Sequence, residues 1–375
     1  MALLSRTDQS LISHWWWTVD RWSLAAIVTL IVSGVLLALA SSSSVAGRIG
    51  LEPFYFVFRQ LSFVAPALVM IFIMSLCGPR DVRRAALGLF GVSVLLMVLA
   101  LFVGPEIKGA QRWLQFGPFS IQPSEFAKPA VVVLAAAALA EANRTPGFPG
   151  LALACGLFGL VVGLLVLQPD FGQTLLLSLV FAGLLFLAGL RWYWLAAFGG
   201  LGLAGSAAAY MLVPHVASRI DRFINPDAGD RFQVNTALNA FMHGGITGVG
   251  PGEGELKTRL PDAHTDFIFA VAAEEFGLAA CALLMFLFGI IVWRALQRAS
   301  EETDHFIQLS VAGLALLFGL QAVINVAVSL SLMPAKGMTL PFVSYGGSSM
   351  LAVSITVGML LALTRQRFSG ARRYG

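Results

Sequence analysis

Two carboxylates and a histidine fall within the stretch 260–269, LPDAHTDFIF, where a polar segment gives way to a long apolar run. Asp262, His264 and Asp266 therefore stand together at the point where the chain enters an apolar environment. A carboxylate at a helix N-terminus stays ionised, because the helix dipole favours negative charge there. Asp266 in that position can accept a proton from a hydroxyl, or hold a divalent cation such as Mg2+ or Mn2+ through oxygen ligands. The plainer alternative is that Asp266 only complements the dipole, which contributes about 0.3–1 kcal/mol, and that His264 is a helix-entry residue.

Other charges interrupt apolar runs, where each marks either a structural pair or a functional site. Arg59 is one. Glu125 and Lys128 are spaced i to i+3 and so share a helix face; they form either a structural ion pair or a binding point for an anionic headgroup. Glu274 and Glu275 are adjacent, diverge by roughly 100° on a helix, and at most one shares the face of Asp266. Gln321 and Asn325, one turn apart, read as interhelical hydrogen-bond glue. The glycine-rich run 244–254, GGITGVGPGEG, has neither the dinucleotide fingerprint nor a phosphate loop ending in Lys-Ser/Thr. It reads as a flexible loop able to bring backbone amides near a ligand.

These residues must be positioned by helices in lipid. The chain of 375 residues is 58% hydrophobic and 12% charged, with a mean hydropathy of +0.82, well outside the range of soluble domains. A span needs roughly 20 apolar residues, and the apolar runs predict about ten, near 23–41, 54–77, 85–103, 124–141, 151–167, 172–189, 195–213, 265–293, 308–332 and 348–364. The fold class is therefore an all-α polytopic membrane protein, one transmembrane domain over 1–375 with a large loop at about 214–264. The lead before the first span, with Trp15, Trp16 and Trp17, reads as an interfacial anchor to a retained span rather than a cleaved signal. Cys77, Cys155 and Cys281 lack metal-ligand spacing and read as packing residues.

Basic residues gather at span ends, which sets orientation and argues against a nucleic-acid partner. Thirteen lie on the side of the termini, namely Arg6, Arg21, Arg80, Arg83, Arg84, Arg144, Arg191, Arg294, Arg298, Arg365, Arg367, Arg372 and Arg373. The opposite short loops hold Arg48, Lys108, Arg112 and Lys336. The tails 1–22 and 365–375 are thus predicted to be cytoplasmic, with 214–264, 104–123 and the stretch around Lys336 outside.

Several motifs in order resemble the SEDS family, the polytopic proteins that include RodA and FtsW. They are 108–113 (KGAQRW), 122–125 (QPSE) with Lys128, 168–172 (QPDFG), 261–269 with Glu274 and Glu275, and 341–349 (PFVSYGGSS). Each is weak alone; together they span most of the chain. Stretch 334–341 is similar to the division branch of the family, because the elongation branch usually lacks a lysine at the place of Lys336. Asp262 stands where the family commonly has Glu.

The resemblance implies polymerisation of lipid II into glycan strands, with release of undecaprenyl diphosphate, at the division septum of the cytoplasmic membrane. It implies a class B penicillin-binding protein, an FtsI-like transpeptidase, as partner, alongside other divisome membrane proteins. Asp266 matches the aspartate of the family motif and is the expected catalytic carboxylate. Arg59, Arg112, Glu125, Lys128, His264, Lys336 and Ser344 are the expected substrate-binding residues, with Asp262 and Glu274 in support. Two other classes compete: a lipid II flippase, and a non-catalytic scaffold or unrelated transporter. A flippase needs a polar cavity through both leaflets, whereas here the polar loops and the motif carboxylates concentrate on one face.

Overall fold

The structure, a computed structural model, describes residues 10–366 apart from 49, 51, 53, 107–108, 118, 213–216, 218–220, 222–231, 261–262 and 335–336. A short helix α1 (Leu11–Thr18) precedes α2 (Arg21–Arg48), α3 (Tyr55–Leu76) and α4 (Pro79–Val103). A two-stranded antiparallel hairpin, β1 (Leu114–Phe116) and β2 (Phe119–Ile121), leads into α5 (Pro123–Arg144), α6 (Gly150–Leu167), α7 (Phe171–Leu187) and α8 (Trp192–Leu212). Helix α9 (Phe232–Gly244) follows, then α10 (Ile268–Glu301), α11 (His305–Ser329) and α12 (Gly347–Thr364).

The ten predicted spans coincide with α2 to α8 and α10 to α12, as expected of a multi-pass membrane protein. Among the described residues seven of these helices, α2, α3, α4, α6, α10, α11 and α12, are long and apolar enough to cross a bilayer. Helix α7 is apolar but has 17 residues. Helix α5 carries Glu125, Lys128, Glu141 and Arg144 and buries its charged first turns among its neighbours. Helices α11 and α12 form the centre; α12 packs along α3, α11 against α10 and α5, and α5 between α4 and α6.

The tryptophan run anchors one end of this bundle. Trp15 Nε1 donates to Ser75 Oγ at the end of α3 (2.7 Å), and the Arg21 guanidinium lies over the Trp17 ring. Arg365 closes the same end by donating to Thr18 Oγ1 (3.1 Å) and the Ser75 carbonyl (3.2 Å). Asp20 takes both arms of Arg294 at 2.6 Å.

The eighth span differs from its prediction over 265–293. The helix starts at Ile268 with Phe267 as N-cap, since Val271 N reaches the Phe267 carbonyl (3.2 Å). The Asp266 carbonyl is instead taken by Asn325 (3.2 Å), so Asp266 lies just outside the helix rather than in its first turn. Gly277 interrupts the helix with φ 77° and ψ 178°.

The glycine-rich run is not a free loop but fills that interruption. Val249 N and Gly250 N donate to the Glu274 and Glu275 carbonyls (2.9 and 3.1 Å), while Leu278 N and Ala279 N donate to the Gly245 and Ile246 carbonyls (3.0 and 3.2 Å). Non-helical backbone at membrane depth is tolerated when protein groups satisfy it, and here each segment satisfies the other. The expected loop 214–264 thus contains a helix, α9, packed along α10, and a segment folded into α10 itself.

Candidate functional site

Asp266 is positioned through its backbone. Asn325 on α11 donates to the Asp266 carbonyl (3.2 Å) and the Met338 carbonyl (2.5 Å). Ser344 Oγ donates to the Thr265 carbonyl (2.6 Å) and accepts from Leu340 N (2.8 Å), and Tyr345 N donates to the His264 carbonyl (2.9 Å). Segment 264–266 is thereby stitched to the loop 338–345. Gly337, at φ 65°, comes so close that a Cβ placed on it would lie 3.8 Å from a carboxylate oxygen of Asp266.

The imidazole of His264 packs against Phe56 of α3 and Tyr345, with ring centroids 4.5 and 5.5 Å away. Burial pushes the Tyr345 phenol up to about 12. Arg59, half-buried and one turn along α3 from Phe56, donates to the Tyr55 hydroxyl (2.9 Å).

A second polar cluster lies among α5, α7 and α11. Lys128 Nζ donates to Glu125 (2.9 Å), Gln173 (2.8 Å) and Gln321 (3.2 Å), and Gln173 donates to the other Glu125 oxygen (2.5 Å). Both charged side chains are buried. An ammonium has three donors, and all three of Lys128 are engaged inside the protein, one of them in an ion pair with Glu125. Glu125, Lys128, Gln321 and Thr356 border a small cavity together with Leu317 and Phe318. Gln321 joins the two clusters, because its amide nitrogen donates to the Thr339 carbonyl (3.1 Å). It links helices as expected; Asn325 instead holds two loops.

Arg112 is also engaged. It donates to the Gln168 and Pro169 carbonyls (3.1 and 2.7 Å) and lies 3.4 Å from Asp170, which accepts from Gln122 (3.1 Å). These contacts fasten the segment before β1 to the turn between α6 and α7. Burial pushes the Asp170 carboxyl up, against the opposing pull of Arg112.

Glu274 is brought to a different place from Asp266. Fully buried, it accepts from Leu256 N (2.8 Å) and Lys257 N (3.0 Å) and lies 3.3 Å from His243 Nδ1. Glu275 pairs with the Lys257 ammonium. Asp262 and Lys336 lie outside the described residues. Among the described residues no group of three or more His, Cys, Asp or Glu side chains is arranged to hold a metal. An aspartate such as Asp266 fits Mg2+, which is commonly bound by one or two carboxylates together with substrate phosphates.

Sequence reasoning passed over Lys257 and Gln173. A lysine in a polar loop ordinarily reads as solvated, and nothing in its neighbourhood signals that the loop folds back into a helix break. Gln173 was within reach, since it follows Asp170 by i+3 in the QPDFG stretch.

Residues 21–368 match the family described as cell cycle protein, FTSW_RODA_SPOVE. The chain is 46% identical over 364 residues to a probable peptidoglycan glycosyltransferase FtsW from Caulobacter vibrioides, covering 97% of this chain and 93% of that one. A protein of the same description from Coxiella burnetii is 34% identical, with 92% and 96% covered. Among solved structures, a chain from work on the structural coordination of polymerization and crosslinking by a peptidoglycan synthase complex superposes with a TM-score of 0.76 at 29% identity, covering 92% of this chain and 97% of that chain. The rod shape determining protein RodA of Thermus thermophilus gives 0.69 at 29% identity, with 93% and 97% covered.

Proposed function

Because the chain belongs to the FtsW/RodA/SpoVE family of cell cycle proteins, we propose that it is a peptidoglycan glycosyltransferase that polymerises lipid II into glycan strands on the outer face of the cytoplasmic membrane during cell division. The observation that carries this reading is the backbone clamp on Asp266, held through Asn325, Thr265 and His264 beside the loop that follows Lys336.

A sugar hydroxyl of one lipid-linked unit attacks the anomeric carbon of the other as Asp266 takes the hydroxyl proton. The bond from that carbon to the diphosphate oxygen breaks, and the electron pair departs with undecaprenyl diphosphate. The donor is α-linked and the glycan β-linked, so one inverting displacement suffices. A divalent cation bound by Asp266 and the diphosphate would add charge stabilisation to the leaving group. Arg59 and Lys336 are assigned to the anionic headgroup, where fixed cations act strongly on developing charge. Lys128, Glu125 and Arg112, whose polar groups are already engaged, frame the site from behind; His264 and Ser344 fix the backbone around Asp266.

The test is glycan synthesis from lipid II by purified protein in detergent, where transport has no meaning. Polymer is expected; its absence both alone and with the partner present defeats the reading in favour of a flippase or scaffold.

The proposed partner is a membrane-anchored class B penicillin-binding protein, FtsI-like, that crosslinks the nascent strands, with other divisome proteins at the septum. Support comes from the likeness to a chain of a peptidoglycan synthase complex. Cross-linking in native membranes before mild extraction should recover that transpeptidase, and recovery of none counts against the pairing.

Both termini are assigned to the cytoplasm on the excess of basic residues in the short loops of that side. In a background without the native cysteines, Asp230→Cys should label from outside and Arg144→Cys from inside. Labelling from one side overturns the orientation.

A further inference from the structure

We propose that Lys257 and Glu275 are positioning residues for the reaction: through the segment 244–258 they hold the outer part of α10 at the angle that places Asp266. The proposal rests on the polymerase reading for its kinetic consequence, though not for its structural one.

The argument starts from the hydrogen bonds of the broken helix. In a continuous helix Leu278 N would bond the Glu274 carbonyl and Ala279 N the Glu275 carbonyl. Here Leu278 N and Ala279 N bond Gly245 and Ile246, and the two glutamate carbonyls accept from Val249 and Gly250. Two helix bonds have been exchanged for four with an inserted segment. Close approach makes the exchange possible: a Cβ on Gly248 would collide with the Glu275 carbonyl, and one on Gly277 with the Ile246 carbonyl. The break lies nine residues beyond Ile268, about 14 Å along the helix at 1.5 Å per residue. Residues 268–276 therefore form a short rod with Asp266 just before one end and the inserted segment at the other.

Buried charge locks the insertion. Lys257 Nζ donates to the Ala40 carbonyl of α2 (3.1 Å), the Gly252 carbonyl (3.0 Å) and the Glu275 carboxylate, one donor to each of three separate segments. Glu274 takes the two backbone amides of Leu256 and Lys257. The side chains of Lys257 and Glu275 are 4% and 0% exposed. Charges so enclosed persist only when paired and hydrogen-bonded, so these contacts define one arrangement of loop, α2 and α10. Without the insertion, the free carbonyls and amides around Gly277 would be satisfied by closing the helix, which rotates the rod and draws Asp266 away from the loop 338–345.

The experiment compares Lys257→Met and the double variant Lys257→Met/Glu275→Gln with wild type in detergent. It reads thermal midpoint, backbone hydrogen exchange, and kcat and KM for lipid II. Lys257→Met should speed exchange at 245–258 and at Tyr345, whose amide donates to the His264 carbonyl, together, and lower kcat about 10- to 100-fold, as small misplacements of reacting groups do, with KM within about threefold. The double variant, relieved of the unpaired carboxylate, should regain most of the midpoint but not kcat. The proposal is overturned if the Tyr345 amide stays protected while 245–258 loosens, or if kcat returns together with stability. Should Lys257→Met not fold, the double variant decides: folded and slow supports the proposal, folded and fully active overturns it. A wild type that makes no glycan sinks the polymerase reading instead, and the exchange comparison, which needs no activity, still decides the positioning.

Discussion

Asp266→Ala is expected to lower lipid II polymerisation by 10²-fold or more, the usual loss when a general base is removed, with membrane insertion and partner binding unchanged. What anchors residue 266 is its carbonyl, held by Asn325, together with the neighbouring Thr265 and His264 carbonyls, held by Ser344 and Tyr345. These contacts run through backbone carbonyls, which Asp266→Ala keeps. Asp266→Asn should behave alike, because it keeps the shape and loses the basic oxygen. The competing role, complementing the helix dipole, is weakened by position: the dipole acts within the first turn, and Phe267 is already the N-cap. If purified Asp266→Ala still polymerises at near wild-type rate, the carboxylate is a helix-entry feature and the proposed mechanism fails.

The spans were legible because hydropathy reads membrane depth directly; residues 54–77 were expected and α3 covers Tyr55–Leu76. The motif stretches were legible as candidates, and the structure does bring 264–266 beside 338–345. The partner of each polar group was not. Lys128 next to Glu125 gives a pair at i to i+3, but nothing in the sequence says that Gln173 and Gln321 complete its shell, since those contacts depend on how α5, α7 and α11 pack. The run 244–254 was read from composition as flexible, and composition could not show that Gly277, thirty residues on from Thr247, opens a helix for it to enter. Glycine there signals only freedom from a Cβ; which backbone uses that freedom is a tertiary fact. The same limit separates Glu274 from Asp266: helical spacing lets at most one of Glu274 and Glu275 share the face of Asp266, but the contacts of Glu274 lie with the inserted segment.

Lys128→Met is expected to destabilise the protein by about 3–5 kcal/mol, the cost of breaking a buried pair and leaving one charge uncompensated. Glu125 would remain buried with Gln173 as its hydrogen-bond donor, and the amide oxygen of Gln321 would lose the ammonium it accepts from. Gln321 also holds the Thr339 carbonyl, and Thr339 Oγ1 lies 2.6 Å from Ser349 Oγ, so the disturbance reaches the loop beside Asp266. Glycan synthesis should therefore fall together with the thermal midpoint. Glu125→Gln/Lys128→Met removes both charges and should recover most of the lost stability, since replacing a whole buried pair by neutral groups is often close to neutral. This separates two roles for Lys128. A lysine that serves chiefly as the internal partner of Glu125 gives an unstable single variant and a stable double one, with activity partly restored in the double. One that reaches a lipid headgroup during turnover gives a single variant that is stable yet inactive, and a double variant no more active than the single. Denaturation in detergent beside polymerisation rates distinguishes them, and a stable, inactive Lys128→Met would move Lys128 from the frame of the site into its binding surface.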